Sequence, residues 1–203
     1  MIELLLASAL QLPQVNENVV RYLSRRSTVD STEKTAAARV ALRIDPKGKV
    51  RSCDLVDFGG NEKSAKQLCR AIVGTRFTAA KDTNNDPAHS LYVTDLSAFP
   101  SDDRWRAEQM KDNLEGALGK TDIALSMANM PDAFFWKSTQ TLAVMIDKDG
   151  KMTHCQSEDF QDQPWVHIAC RKANAMAFDP FHSQQGLPVP YIRNLTVRYE
   201  RKE

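Results

Sequence analysis

The chain has 203 residues, of which 42% are hydrophobic and 26% charged, and its formal net charge is +1. That balance is ordinary for a globular chain and removes the electrostatic case for nucleic acid or an anionic membrane as partner. No run approaches the roughly 18 apolar residues of a transmembrane helix, so no membrane insertion of the mature chain is expected.

Residues 1–10 combine a short apolar core with Ala7-Ser8-Ala9, which resembles a signal-peptidase site. Glu3 and the missing basic start depart from an export signal. Residues 1–10 are therefore a candidate export signal, with a short amphipathic segment as the alternative. Residues 11–37 read as an N-terminal helix, over Asn16–Arg26, and a polar linker.

Val40, Leu42 and Ile44 alternate with Ala41 and Arg43, the period of a half-buried strand. Asp45 to Lys49 suits a hairpin turn with Gly48 at positive φ. A second strand, Val50–Val56, returns antiparallel until Phe58-Gly59-Gly60-Asn61 breaks it. Glu62 to Gly74 predicts an amphipathic helix with Ala65, Leu68, Cys69, Ile72 and Val73 on one face and Gly74 as its stop. Thr83–Pro87 is a polar turn, and Leu91–Phe99 a third strand. Ser101–Gly119 predicts a linker helix and Thr121–Met130 a second, short one ended by Pro131.

From Gln140 the order returns. Leu142–Ile146 is a strand, Asp147 to Lys151 a turn, Met152–Ser157 a strand, Gln163–Ala175 a helix and Tyr191–Tyr199 a strand. The offset is 102 residues at the turn glycines, Gly48 and Gly150, and at Cys53 and Cys155. It is 101 at Cys69 and Cys170 and at Phe77 and Phe178, and 99 at Tyr92 and Tyr191. Such recurrence marks a repeat architecture. The expected fold is α+β: two β-β-α-β repeats, residues 38–99 and 140–203, each a small antiparallel sheet covered by a helix. A helical linker over residues 100–139 joins them.

A repeat of about 60 residues buries little surface and gains from a covalent staple. In each copy one cysteine falls on the second strand and one on the covering helix, so Cys53–Cys69 and Cys155–Cys170 are the expected disulfides. Buried free thiols are one alternative. A zinc site of His154, Cys155, His167 and Cys170 is another. The first copy has Ser52 and Lys66 where the two histidines stand, so only the cysteines repeat. The acidic group Ser157-Glu158-Asp159 with Asp162 reads as a solvated loop, and Trp105, Trp136 and Trp165 as packing anchors. There is no Gly-rich phosphate loop, His-Glu-x-x-His or Gly-x-Ser-x-Gly. No residue is a candidate catalytic group, and no metal or cofactor is expected.

Each copy resembles the C-terminal domain of the energy-transducing protein TonB and its periplasmic relatives. The matching residues in the first copy are Val40–Ile44 with Asp45 to Val50, Phe58-Gly59-Gly60, Ala65 to Val73, Arg76-Phe77-Thr78-Ala79-Ala80 and Leu91–Leu96. In the second they are Leu142 to Met152, Ala169 to Met176, Ala177-Phe178-Asp179-Pro180 and Gly186-Leu187-Pro188-Val189-Pro190 leading into Tyr191–Tyr199. The strand-to-helix cysteine pair looks like one in a subset of that family. The chain departs from it in lacking the membrane anchor and Pro-rich spacer, and in having Ala79 where Pro is expected.

The resemblance implies a non-enzymatic, periplasmic or secreted protein-binding module. A partner's extended segment would pair with the last strand, here Tyr191, Ile192, Arg193, Asn194, Leu195, Thr196 and Val197, with Tyr92–Ala98 as its counterpart. The expected partner is a protein, such as an outer-membrane transporter or another periplasmic protein. One alternative is a structural domain pair or homodimer whose edge strands pair. The other is a metal-binding protein using His154, Cys155, His167 and Cys170.

Overall fold

The computed structural model describes residues 9–15, 36–98, 121–127, 139–158 and 163–201. The helices expected over Asn16–Arg26 and Ser101–Gly119 lie outside these residues. The fold is α+β. In chain order the elements are β1 (Ala36–Ile44), β2 (Val50–Gly60), α1 (Glu62–Ile72), β3 (Ala80–Lys81), β4 (Pro87–Ala98), β5 (Ile123–Met127), β6 (Thr139–Ile146), β7 (Met152–Ser157), α2 (Pro164–Asn174), β8 (Phe181–His182), β9 (Pro188–Val189) and β10 (Tyr191–Arg201). The chain divides into two units that are not contiguous in sequence. One takes its described residues from 13–79 and 90–119; the other takes them from 1–12, 80–89 and 120–203.

In the first unit, β1 pairs antiparallel with β2 on one side and with β4 on the other. The alternation at Val40, Leu42 and Ile44 puts all three into one core, where they meet Ala65, Leu68, Cys69 and Ile72 of α1 and Phe77. Helical spacing places those four α1 residues on a single face, and burying one Leu or Ile contributes roughly 1.5–3 kcal/mol. The Asn61 carboxamide oxygen caps α1 by accepting from the Ser64 N–H at 2.9 Å. Gly74, at φ 86°, follows the helix as expected. Gly59 and Gly60 do not break β2. They oppose Ala37 and Ala36, and a bulge at Val56 lets the pairing continue past the point where the sequence suggested an end.

In the second unit, β6 pairs antiparallel with β7 and with β10. β5 runs parallel to β10, with Val197–Arg201 opposite Ile123–Met127. The short helix expected over Thr121–Met130 is thus a strand across its described part. Ile123 and Leu125 are buried while Ala124 and Ser126 are exposed, the period of two that a strand requires. Helix α2 starts at Pro164, whose missing N–H costs nothing at the first helical position.

The two hairpin turns share one construction. Asp45 Oδ1 accepts from the N–H groups of Lys47 and Lys49, each at 2.9 Å. Asp147 Oδ1 accepts from Asp149 and Lys151 at the same distance. The fourth residues of both turns, Gly48 and Gly150, have φ of 75° and 81°. A bulge follows each turn, at Arg51 and at Thr153.

Asp45 carries more than its counterpart. Its carboxylate also accepts from Arg51 Nε at 2.7 Å and pairs with Arg51 Nη2. Burial pushes its carboxyl upward, but the bonds from Lys49, Arg51 and Lys47 outweigh this and hold it below the usual 3.8. A depressed carboxyl contributes stability above its unfolded value that is lost as pH falls through the folded one. Asp45→Asn is therefore expected to cost about 1–2 kcal/mol at neutral pH. That difference should shrink as pH drops below 3.8. Urea unfolding of both proteins at neutral and acid pH checks this; a pH-independent difference would contradict it.

Register also revises one landmark. Leu42 opposes Tyr92 and Ile44 opposes Ser90, whereas Val144 opposes Arg193 and Ile146 opposes Tyr191. Tyr191 therefore corresponds to Ser90, and Arg193 to Tyr92, at an offset of 101. Tyr92 and Tyr191 are not counterparts. The packing follows the register: Phe77 meets Tyr92 edge to face at 6.4 Å, and the Arg193 guanidinium lies over the Phe178 ring at 5.9 Å. Likewise Phe181 stacks on Tyr191 at 5.2 Å, where the corresponding positions of the first repeat are the buried small residues Ala80 and Ser90.

Candidate functional site

Cys53 and Cys69 are bonded, with Cα atoms 5.5 Å apart, and Cys155 and Cys170 are bonded at 5.8 Å. Each bridge ties an outer strand to the helix above it. The bonded sulfurs of Cys155 and Cys170 offer no thiolate to a metal, and His154 and His167 are exposed. Among the described residues no group of three or more His, Cys, Asp or Glu side chains is arranged to hold an ion. Such disulfides persist in oxidising compartments and are compatible with a secreted or periplasmic protein. Among the described residues no helix is long and apolar enough to cross a membrane.

The seven residues expected to form a partner-binding edge all lie in β10. β6 is hydrogen-bonded along that whole stretch, with Tyr191 opposite Ile146 and Val197 opposite Gln140. Tyr191, Ile192, Asn194, Leu195 and Val197 are buried, and they come from both faces of the strand. The opposite side of β10 is also engaged at its far end. Beyond the β5 pairing, the Asp122 N–H donates to the Thr196 carbonyl at 2.9 Å. The Asp122 carboxylate accepts from the Thr196 N–H at 2.8 Å and from Arg193 Nη2 at 3.3 Å. One aspartate thus closes Thr196 and fixes Arg193 against Phe178. No periodicity announced Asp122, because its partners lie more than 70 residues away.

A second polar group crosses this sheet. The buried Tyr199 hydroxyl donates to Gln140 Oε1 at 2.6 Å, and Gln140 Nε2 donates to Ser157 Oγ. Burial pushes the Tyr199 hydroxyl up to about 12, so it stays protonated and serves as a donor. Satisfied in this way, the three groups link β10, β6 and β7 through the interior.

The outer strands are accessible. At the start of β2 the Val50 N–H donates to the Thr75 carbonyl at 3.0 Å and the Val50 carbonyl accepts from the Gly74 N–H at 2.9 Å. Past Val50, among the described residues, β2 pairs with β1 alone, and β7 pairs with β6 alone. β2 is 11 residues long and β7 is 6. Val56 and Phe58 of β2 are exposed at 43% and 39%, unusual for large apolar side chains on a strand. Arg51, Asp54 and Asp57, with the Val56 bulge, are the charged and irregular features that keep an edge from indiscriminate pairing. Alternation in the sequence identified these strands but could not say which would end a sheet. Comparison of the chain with family models, with curated proteins and with solved structures gives no match.

Proposed function

We propose that the chain is a non-enzymatic, periplasmic or secreted protein-binding module of the TonB C-terminal type, built from two copies of one β-β-α-β unit. The matched turns, bulges and disulfides at offsets of 101 and 102 support the duplication. The partner is a protein that contributes an extended segment by strand addition. The observation that carries this is the outer side of β2, a long strand with backbone groups facing away from β1 and with Val56 and Phe58 exposed beside them. The burial of β10 favours β2 over Tyr191–Val197 as the receiving strand.

A photo-crosslinking side chain placed at Val56 in the full chain, expressed in its own cell, is expected to trap a discrete protein adduct. One placed at Lys148, on the turn, should not. Equal adducts at both positions, or none at either, would overturn the reading. The burial of β10 also favours a second reading, a structural protein whose last strands are consumed by pairing, within the chain or across a homodimer. Under that reading size measurement in solution gives one fixed species, and no adduct forms at Val56.

A further inference from the structure

The chain contains its own example of strand addition, away from β2. Residues 11–14 run antiparallel to residues 78–81. The Gln11 N–H donates to the Lys81 carbonyl at 2.9 Å, the Lys81 N–H to the Gln11 carbonyl at 3.0 Å, and the Thr78 N–H to the Gln14 carbonyl at 2.9 Å. Leu10 and Leu12, on either side of Gln11, are buried at 3% and 5% exposure. The receiving strand, β3, belongs to a tight hairpin in which Lys81 opposes Pro87. Proline has no N–H, and the alternation of an antiparallel ladder points the Lys81 N–H and carbonyl away from the hairpin, toward Gln11.

The same hairpin occurs 101 residues later. The Asp82 N–H donates to the Asp86 carbonyl and the Asn85 N–H to the Asp82 carbonyl, each at 2.9 Å. The Ser183 N–H donates to Leu187 and the Gly186 N–H to Ser183, again at 2.9 Å. Asn85 and Gly186 both have positive φ, 67° and 76°. His182 opposes Pro188 as Lys81 opposes Pro87. Its N–H and carbonyl must therefore point outward by the same ladder rule. Among the described residues no backbone group bonds them. Leu187, 61% exposed, stands at the tip of this hairpin where the first has Asp86.

We propose that residues 179–182 form a receptor edge for an extended, uncharged segment of a partner protein with the chemistry of Leu10-Gln11-Leu12-Pro13. The segment carries apolar residues on either side of one polar residue and adds antiparallel to His182 as Gln11–Gln14 add to the first hairpin. The occupant belongs to a partner because the chain's own copy of this segment is already engaged at Lys81. Leu187 supplies apolar surface that the first hairpin does not. The site is separate from the β2 edge and does not depend on it.

The test uses the full chain and a capped synthetic peptide of residues 9–15, read by amide hydrogen exchange. At saturating peptide the His182 and Asp179 amides are expected to exchange at least tenfold more slowly. A peptide N-methylated at Gln11 keeps every side chain but loses the N–H that would reach the His182 carbonyl, and should protect nothing. His182→Pro, which removes an outward N–H, should abolish protection while leaving the melting temperature close to that of the parent. Equal protection by the N-methylated peptide would overturn the proposal. So would protection confined to residues 78–81 or 50–60, or a doubling of molecular size without slowing at 179–182.

Discussion

Replacing Cys53 and Cys69 together with serine lowers the stability of the chain by about 3 kcal/mol, and replacing Cys155 and Cys170 does the same. The bridges close loops of 16 and 15 residues, and the chain-entropy cost of leaving such a loop open is roughly 3 kcal/mol. For a chain of this length, each pair corresponds to a fall in melting temperature of roughly 6–12 °C. Losing both pairs removes about 6 kcal/mol, comparable with the whole stability of many domains, so the four-serine chain is expected to be largely unfolded at 37 °C. Urea unfolding of the two paired variants measures each loss separately. Alkylation and intact mass before and after reduction provide the chemical check: no thiol should react without reductant, and four should react with it. An unfolding midpoint unchanged by reductant would remove the staple from the account of stability.

The reason for expecting so much from these bonds is visible in where they sit. Each one ties an end strand of the sheet to the helix of its own repeat. Cys53 and Cys155 are half-buried, β2 exposes alternate residues from Asp54 onward and β7 exposes Thr153 and His154, so the apolar contact that would hold these strands down is thin. If strand addition at β2 is the function, the bridge also keeps the receiving strand in register while one side remains available. Reduction should then weaken capture at Val56 before it unfolds the chain.

Local pattern made much of this legible, and distance in sequence hid the rest. Hairpins, helix α1, helix α2 and both disulfides follow from alternation, from 3.6-residue spacing and from cysteines that recur with the turns. Within each copy those signals lie close together in sequence. β5 is not legible as a strand because Ile123-Ala124-Leu125-Ser126-Met127 is too short to separate a helix from a strand by period. What decides it is a parallel partner, β10, some 74 residues away. The same distance hid Asp122, and it hid whether Tyr191–Val197 would end a sheet or lie inside one. Its mixture of Arg193, Asn194 and Thr196 with apolar residues suggested an exposed edge. Instead Arg193 is held by Asp122 and Phe178, and Asn194 is buried. Tyr92 and Tyr191 misled for another reason: identical side chains two positions out of register look like a landmark until the strand partners are known.

Gly48→Ala is expected to cost about 3 kcal/mol, against roughly 1 kcal/mol for Gly74→Ala, although both glycines have positive φ. The shared part is the backbone penalty of placing an L side chain in the left-handed region, about 1–2 kcal/mol. What differs is the space. A Cβ on Gly74 meets nothing within 4 Å. A Cβ on Gly48 overlaps the Phe77 carbonyl oxygen and comes within 3.3 Å of the Ala79 nitrogen, both backbone atoms that cannot rotate aside. Moving that carbonyl pulls the Phe77 segment away from the turn and endangers the Phe77 N–H bond to the Gly48 carbonyl, 2.8 Å long and worth about 1 kcal/mol. It also displaces the Phe77 ring, which is buried against the core below α1. Gly150 stands in the same relation to the Phe178 carbonyl, so Gly150→Ala should match Gly48→Ala rather than Gly74→Ala. Denaturant midpoints of the three single variants decide the matter. Equal losses at positions 48 and 74 would mean that only φ matters and that the turn is not locked to the segment after the helix. The predicted order explains why the glycine recurs with its phenylalanine: the carbonyl before residue 78 occupies the place of a side chain at residue 48, and the carbonyl before residue 179 occupies it at residue 150.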